Sequence, residues 1–405
     1  MLVIASELYW PETTSTGKYV TRVAEGLAGD GDVLVLCAQP TYAARGRLAP
    51  REEVRNGVRI RRLRSTTLDK DRLLPRLINA LTFGVAALLA GLRHVPRGAT
   101  VMAVTNPPLL PFLMGVVCRV KRARLVLLIH DVYPEVLVAS GLVSSEGLAA
   151  RLLARATRRL YGEAKEIVVL GRDQKALVER KDPEGGKRAI VIPHWMDEGI
   201  EPFERNGHPL LAELGWEDHF VVQYAGNMGR SHDLEGILAA AEALGDDAMS
   251  PGFGFLLIGW GAKRRKVEEE VDRRRLRHVR VLDPRPDSEL SSMLGACDVA
   301  LIALAPGMAG VSVPSRMYNV MAAARPIIAV ADAESELASV VREEGIGWVV
   351  APGDTDALVE ALRSARDQEE ARREMGCRAR RAALEKYTFA KALPEYAAAV
   401  GRVTP

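Results

Sequence analysis

Cysteine is scarce in this chain: four residues in 405 (Cys37, Cys118, Cys297 and Cys377), scattered and with no Cys-x-x-Cys. That spacing excludes a dense disulfide framework, argues against a thiolate metal site and fits a reducing cytoplasm. Other signatures are missing too. There is no His-Glu-x-x-His, no Asp-x-Asp at a strand end and no Gly-x-x-x-x-Gly-Lys-Ser/Thr, so no catalytic metal and no cofactor is implied. The apolar stretch at 2–5 is too short for a signal peptide and runs straight into Glu7, so it reads as a first buried strand. Residues 77–92 carry no charge between Arg76 and Arg93, yet sixteen residues fall short of the roughly 18–20 of a membrane span. Two readings stay open for that segment, with the lead-in at 69–72 and Arg76 permitting either. It is a buried core helix, or a helix lying partly in a membrane interface with its arginines on headgroups. Arg59, Arg61, Arg62 and Arg64 form a basic edge around a strand and read as solvated. No nucleic-acid module accompanies them, so no nucleic-acid partner is expected.

What is present describes a soluble α/β protein. At 405 residues two domains are expected, and 48% apolar with 26% charged residues suits globular folding. The net charge of +3 hides an asymmetry: residues 1–200 hold thirty Lys and Arg against twenty Asp and Glu, while the remainder holds twenty-five against thirty-two. The basic first half suits an anionic partner, either a phosphate-bearing acceptor or an acidic membrane surface, or simply solvates through arginine. Short, continuous apolar runs alternate with helical patterns throughout, as parallel strands covered on both faces require. Strands are expected at 2–5, 33–37, 58–63, 101–104, 125–129, 167–170 and 189–192, then at 220–224, 253–258, 279–282, 299–303, 327–330 and 347–350. Helices are expected at 19–28, 148–161, 233–244, 287–294 and 355–365. Two successive doubly wound units follow, divided in the proline- and glycine-bearing stretch 193–209, with ligands expected in a crevice outside the carboxyl ends of both sheets.

Two segments carry the chemistry. Tyr224-Ala-Gly-Asn-Met-Gly-Arg230 follows an apolar run, and Gly310-Val-Ser-Val-Pro-Ser-Arg-Met-Tyr-Asn319 leads into an apolar helix. Each reads as small residues and a guanidinium delivered to a helix start. Glycines let N–H groups approach phosphate oxygens, a helix N-terminus adds partial positive charge, and arginine grips two oxygens at once. With their order and spacing, these segments resemble the donor-sugar half of retaining glycosyltransferases with the GT-B fold, family 4, in the branch that builds O-antigen and colanic-acid-type exopolysaccharide chains. His130-Asp-Val-Tyr-Pro-Glu135 matches the same branch.

The resemblance implies two Rossmann-like domains: an acceptor domain at 1–200, with the helix 388–405 packing back on it, and a nucleotide-sugar domain at 201–387. It implies a cytoplasmic enzyme, peripheral to the inner membrane face if the acceptor is lipid-linked. The enzyme would move a sugar from a nucleoside diphosphate, expected to be UDP, onto a saccharide hydroxyl. By this likeness His130, Arg230 and Arg316 serve catalysis. Gly17, Gly226, Asn227, Gly229, Gly261, Arg285, Ser315 and Asn319 bind the donor, while Glu12, Asp131 and Tyr133 bind the acceptor. For the loop ending at Gly17, helix capping by Ser15 or Thr16 is the competing explanation.

Two departures stand out. The family's paired glutamates fall at Val311 and Asn319, and the lysine usual after the first glycine loop is absent, with Ser231 and His232 in its place and Arg230 as substitute charge. The alternatives are a nucleotide-sugar epimerase of the same fold, which needs acid/base carboxylates that the loss of the paired glutamates argues against, and a protein that binds nucleotide-sugar without consuming it, with which Val311 and Asn319 are consistent.

Overall fold

The computed structural model describes residues 1–29, 31–40, 48–68, 73–245 and 252–402. The chain divides into two compact units, Met1–Pro193 with Gly310–Ser312 and Ala390–Pro405, and His194–Ala309 with Val313–Phe389. Both are Rossmann-like α/β units built on a parallel sheet.

The first unit is an eight-stranded sheet of β1 (Leu2–Ala5), β2 (Val33–Cys37), β3 (Glu52–Arg55), β4 (Val58–Arg62), β5 (Thr100–Val104), β6 (Arg124–Leu128), β7 (Glu166–Val169) and β8 (Ala189–Val191). Their order is β3-β4-β2-β1-β5-β6-β7-β8, with every pair parallel except β3–β4. The all-apolar runs are the buried central strands: β1 and β2 are buried at every residue. β3 escapes sequence reading because Glu-Glu-Val-Arg has no apolar run; as an edge strand its outward charges discourage further pairing. Glu52 and Glu53 of β3 also change the reading of the basic edge. Arg62 is buried, pairs with Glu53 and donates to the carbonyls of Pro50 and Trp10, and Arg61 pairs with Glu52. A buried guanidinium needs such partners, so Arg62 is a structural residue and not a solvated one.

The second unit has six parallel strands: β9 (Phe220–Ala225), β10 (Phe253–Ile258), β11 (Val279–Leu282), β12 (Val299–Ala303), β13 (Ile327–Val330) and β14 (Gly347–Val350), in the order β11-β10-β9-β12-β13-β14. Its core gathers Phe220, Tyr224, Phe255, Leu301 and Ile328 beneath the Leu234–Gly245 helix.

In each sheet the chain first steps outward from a central strand and then returns to that strand's other side. The order therefore reverses between β1 and β5 in the first unit and between β9 and β12 in the second. At such switch points the loops leaving the carboxyl ends diverge and open a place for a ligand.

The helices expected near 19, 148, 233 and 355 form as Ser15–Ala28, Leu148–Glu163, Leu234–Gly245 and Thr355–Asp367. The 287–294 segment divides into a 3-10 turn, Asp287–Glu289, and the helix Leu290–Gly295. The uncharged stretch at 77–92 lies within a longer helix, Leu73–His94. It is not a wholly buried core helix: Phe83 and Ala87 are fully buried, while Leu74, Leu77, Leu81 and Leu89 are exposed. Its lead-in at 69–72 lies outside the described residues.

Candidate functional site

The second unit's switch point is built around Tyr224, the penultimate residue of β9. Its ring is fully buried and its hydroxyl donates to the Asn227 carbonyl at 2.6 Å, folding the 226–229 loop back over the strand end. The Arg316 guanidinium lies over that ring, 4.5 Å from its centre, and donates to the Ala225 carbonyl at 3.2 Å. The aromatic face and a single carbonyl thus orient Arg316 while leaving donor capacity on the fork. Gly226 has φ +141°, and a Cβ there would meet Arg316 Nη1 at 2.9 Å, so the glycine is what allows the guanidinium to lie against the loop.

A second loop locks onto the first. The Met228 N–H donates to the Trp260 carbonyl at 2.6 Å, and the Lys263 N–H to the Met228 carbonyl at 2.9 Å. Gly259 and Gly261 sit at the crossings: a Cβ on Gly259 would lie 1.9 Å from the Gly226 oxygen, and one on Gly261 would lie 2.5 Å from Asn227 Oδ1. Arg264 pins this second loop through the Gly259 carbonyl and Asp283.

Sequence reading assigned no role to Lys263. Its Nζ donates to the carbonyls of His232, at 2.6 Å, and Arg230, at 3.3 Å. An ammonium therefore reaches the first glycine loop from the neighbouring one, where the family's usual lysine is absent. Burial, with the charges of Arg316 and Lys263 behind it, holds the His232 imidazole well below its ordinary range, so that ring is neutral. Arg230 is exposed and forms no ion pair among the described residues.

The Leu234–Gly245 helix starts four residues beyond Arg230, and its first turn is served by Asp233, whose carboxylate accepts from the Gly236 N–H at 2.9 Å. The helix after Ser315 is short, Arg316–Ala322, so the cationic side chains and loop N–H groups, more than helix ends, supply the positive character. Asn319 is engaged already: its Oδ1 accepts from the Asp197 N–H at 2.8 Å and its Nδ2 donates to Asp197 Oδ2 at 3.0 Å. The Asp197 carboxylate thus stands where sequence reading placed an amide alone. Arg285 lies past edge strand β11 with Glu289 as its loose partner at 3.8 Å.

In the first unit, His130 and Asp131 follow β6. Burial pushes the His130 imidazole down to about 4, so it is neutral at physiological pH and suits hydrogen bonding better than charge. Gln174, fully buried, holds this corner: its Nε2 donates to the His130 carbonyl at 3.1 Å and its Oε1 accepts from the Leu170 N–H at 2.8 Å. Asp131 pairs in a β-bridge with Ser312. Burial raises its carboxyl, while the Ser312 hydroxyl and the charge of Arg76 act the other way. The 310–312 segment is fixed to this unit by the Val132 N–H donating to the Val311 carbonyl at 3.0 Å and the Gly310 N–H to Asp173 at 2.8 Å. Val311, at the position of the family's first glutamate, is buried and works here through its backbone.

Glu12 and Tyr133 are both buried. Gly17 lies so close to the loop that a Cβ would meet the Glu12 oxygen at 2.6 Å, which gives that glycine a packing reason of its own. The helix starts at Ser15, four residues ahead of the expected start at 19; Thr14 precedes it without a side-chain cap.

With this geometry in view, two family descriptions match: "Glycosyl transferase 4-like domain" over residues 15–195 and "Glycosyl transferases group 1" over residues 211–382. A Pseudomonas aeruginosa protein named "Probable glycosyltransferase WbjE" is 34% identical over 301 residues, covering 73% of this chain and 72% of that one. The Escherichia coli protein named "Putative colanic acid biosynthesis glycosyl transferase WcaI" is 24% identical, covering 88% of this chain and 90% of that one. Among solved structures, Anabaena HepE in complex with UDP-glucose superposes with a TM-score of 0.70 at 14% identity, covering 98% of each chain.

Proposed function

The chain belongs to the group 1 glycosyl transferases and is a glycosyltransferase of the GT-B type, and from that premise we propose that it moves a sugar from a UDP-sugar to a hydroxyl of a lipid-linked polysaccharide precursor with retention at the anomeric carbon. The observation that carries this reading is the placement of two cations at the first glycine loop, Arg316 against Gly226 and over the Tyr224 ring, and Lys263 on the carbonyls of Arg230 and His232. Cleaving the bond from sugar to diphosphate builds negative charge on the departing phosphate. Cations and N–H groups fixed beforehand stabilise that charge without having to reorganise. Support for UDP comes from the UDP-glucose complex of HepE, and support for a polysaccharide product from the name of the Escherichia coli relative.

In this mechanism the leaving diphosphate, held by Arg316, takes the proton of the incoming hydroxyl on the same face. Neutral His130 donates a hydrogen bond toward the sugar or its phosphate, and Asp131 receives a sugar hydroxyl. Asn319 acts through Asp197, whose carboxylate is the group offered to the nucleoside. In this reading Arg316 and Lys263 do the electrostatic work that a divalent ion would otherwise supply. The free cysteines accord with a cytoplasmic setting.

Titration calorimetry of UDP against Arg316→Ala tests the core of this reading. Loss of a charge-assisted, two-pronged contact should weaken UDP by about 10- to 100-fold while uridine is little affected. Equal UDP affinity in the variant and the parent would remove Arg316 from the site.

A further inference from the structure

Trp260 stands where its chemistry is least suited to the folded chain alone. It lies on the turn after β10, between Gly259 and Gly261, with its indole 46% exposed. Burial is what stabilises a large aromatic ring, and the other indoles of this unit show it. Trp195 and Trp216 are buried, the first against Phe389 and the second against His219 and Arg280. Among the described residues, the Trp260 ring meets no other ring or cation, and its indole N–H donates no hydrogen bond.

The turn beneath that ring is fixed. The Trp260 carbonyl accepts from the Met228 N–H at 2.6 Å, and the Gly259 N–H donates to the Leu282 carbonyl at 3.1 Å. Arg264 donates to the Gly259 carbonyl at 2.7 Å and pairs with Asp283 beyond β11. Gly259 and Gly261 have φ +155° and +140°, and a Cβ on either would strike the first glycine loop. Trp260 is therefore the one position from 259 to 261 that can carry a side chain. Three residues on, Lys263 sets its ammonium on the carbonyls of Arg230 and His232. One rigid turn thus carries a cation at the first glycine loop and an uncovered aromatic face close by.

A ligand that meets both has an anionic group joined to a flat ring, which is the chemistry of a nucleoside phosphate. Strands β9 and β10 are neighbours, about 4.8 Å apart. A base held one ribose away from its phosphates can therefore meet the second loop while the phosphates stay at the first. We propose that Trp260 is the stacking platform for the nucleobase of the donor. The proposal rests on the sugar-transfer reading, in which Arg316 and Lys263 serve the diphosphate and no side chain is yet assigned to the base. Stacking grips the face of any base without reading its edge, so Trp260 supplies affinity and leaves the choice of base to polar groups at the rim.

Calorimetry of the full chain with UDP, UDP-glucose and inorganic pyrophosphate tests the proposal. Trp260→Leu should keep the melting temperature and the pyrophosphate affinity of the parent. Its affinity for UDP and for UDP-glucose should fall equally, by about 10- to 100-fold, and Trp260→Tyr should recover most of that loss. UDP should quench the parent's tryptophan emission and leave that of Trp260→Tyr nearly unchanged, an arm that stands whether or not the leucine variant folds. Parent-like UDP affinity in a folded Trp260→Leu, or equal quenching in Trp260→Tyr, would overturn the proposal. So would a loss confined to UDP-glucose, which places the ring against the sugar, or an equal loss of pyrophosphate, which shows a collapsed loop. A parent that binds pyrophosphate but neither UDP nor GDP would bring down the sugar-transfer reading as well, an outcome seen without any variant and so distinct from the others.

Discussion

His130 sets a pH dependence that is independent of its role in the reaction. Its imidazole titrates near 4 when folded, because burial disfavours the cation, and near 6.5 when unfolded. Between those values the unfolded chain binds the extra proton, so stability is fully present above about 6.5 and declines as pH falls toward 4. The total effect is roughly 3 kcal/mol. His130→Asn should flatten that part of the stability–pH curve in urea unfolding, leaving the share due to buried His232. An unchanged slope would mean that His130 is not buried as neutral imidazole. Lys263 gives a second residue-scale prediction: Lys263→Ala should weaken UDP by about tenfold, measured by calorimetry, with uridine unaffected. Arg316, Gly226 and His130 were legible in the sequence because each lies in a contiguous run whose chemistry is local. Lys263, Gln174 and Asp197 were not, since their roles exist only once the fold brings Arg230, His130 and Asn319 to them.

At the scale of elements, the 226–229 and 259–261 loops form one unit stitched by two backbone hydrogen bonds and kept close by glycines. Gly259 is the tightest crossing and has φ +155°, so Gly259→Ala combines backbone strain with a direct clash. It should cost roughly 3 kcal/mol in urea unfolding and impair UDP binding even where folding is restored by low temperature. A neutral Gly259→Ala would mean that the two loops are not interlocked. The central strands were readable because burial on both faces leaves continuous apolar runs, as in Leu-Val-Ile-Ala of β1 and Phe-Gly-Phe-Leu-Leu-Ile of β10. β3 was not, because an edge strand is written in charges. The helix after Arg230 was readable to within a residue, 233–244 against Leu234–Gly245, because its apolar face repeats at helical spacing and Asp233 stands before it, accepting from the Gly236 N–H.

For the whole molecule, two sheets of doubly wound order each present one switch point, and the residues singled out by sequence follow β1 and β6 in the first unit and β9, β10, β11 and β12 in the second. The alternation of apolar runs with helical patterns made that architecture readable. The return of residues 310–312 to the first unit was not readable, because a β-bridge between Asp131 and Ser312 joins positions 181 apart in sequence and leaves no local pattern. The central claim, sugar transfer from a nucleoside diphosphate driven by protein cations, is tested most directly by incubating the pure chain with UDP- and GDP-sugars in EDTA and following free nucleoside diphosphate. The account predicts slow release of UDP from one donor, unchanged by EDTA and lost in Arg316→Ala. Tight donor binding with no release, even with lipid-linked acceptors added, or release that requires a divalent metal, would contradict it.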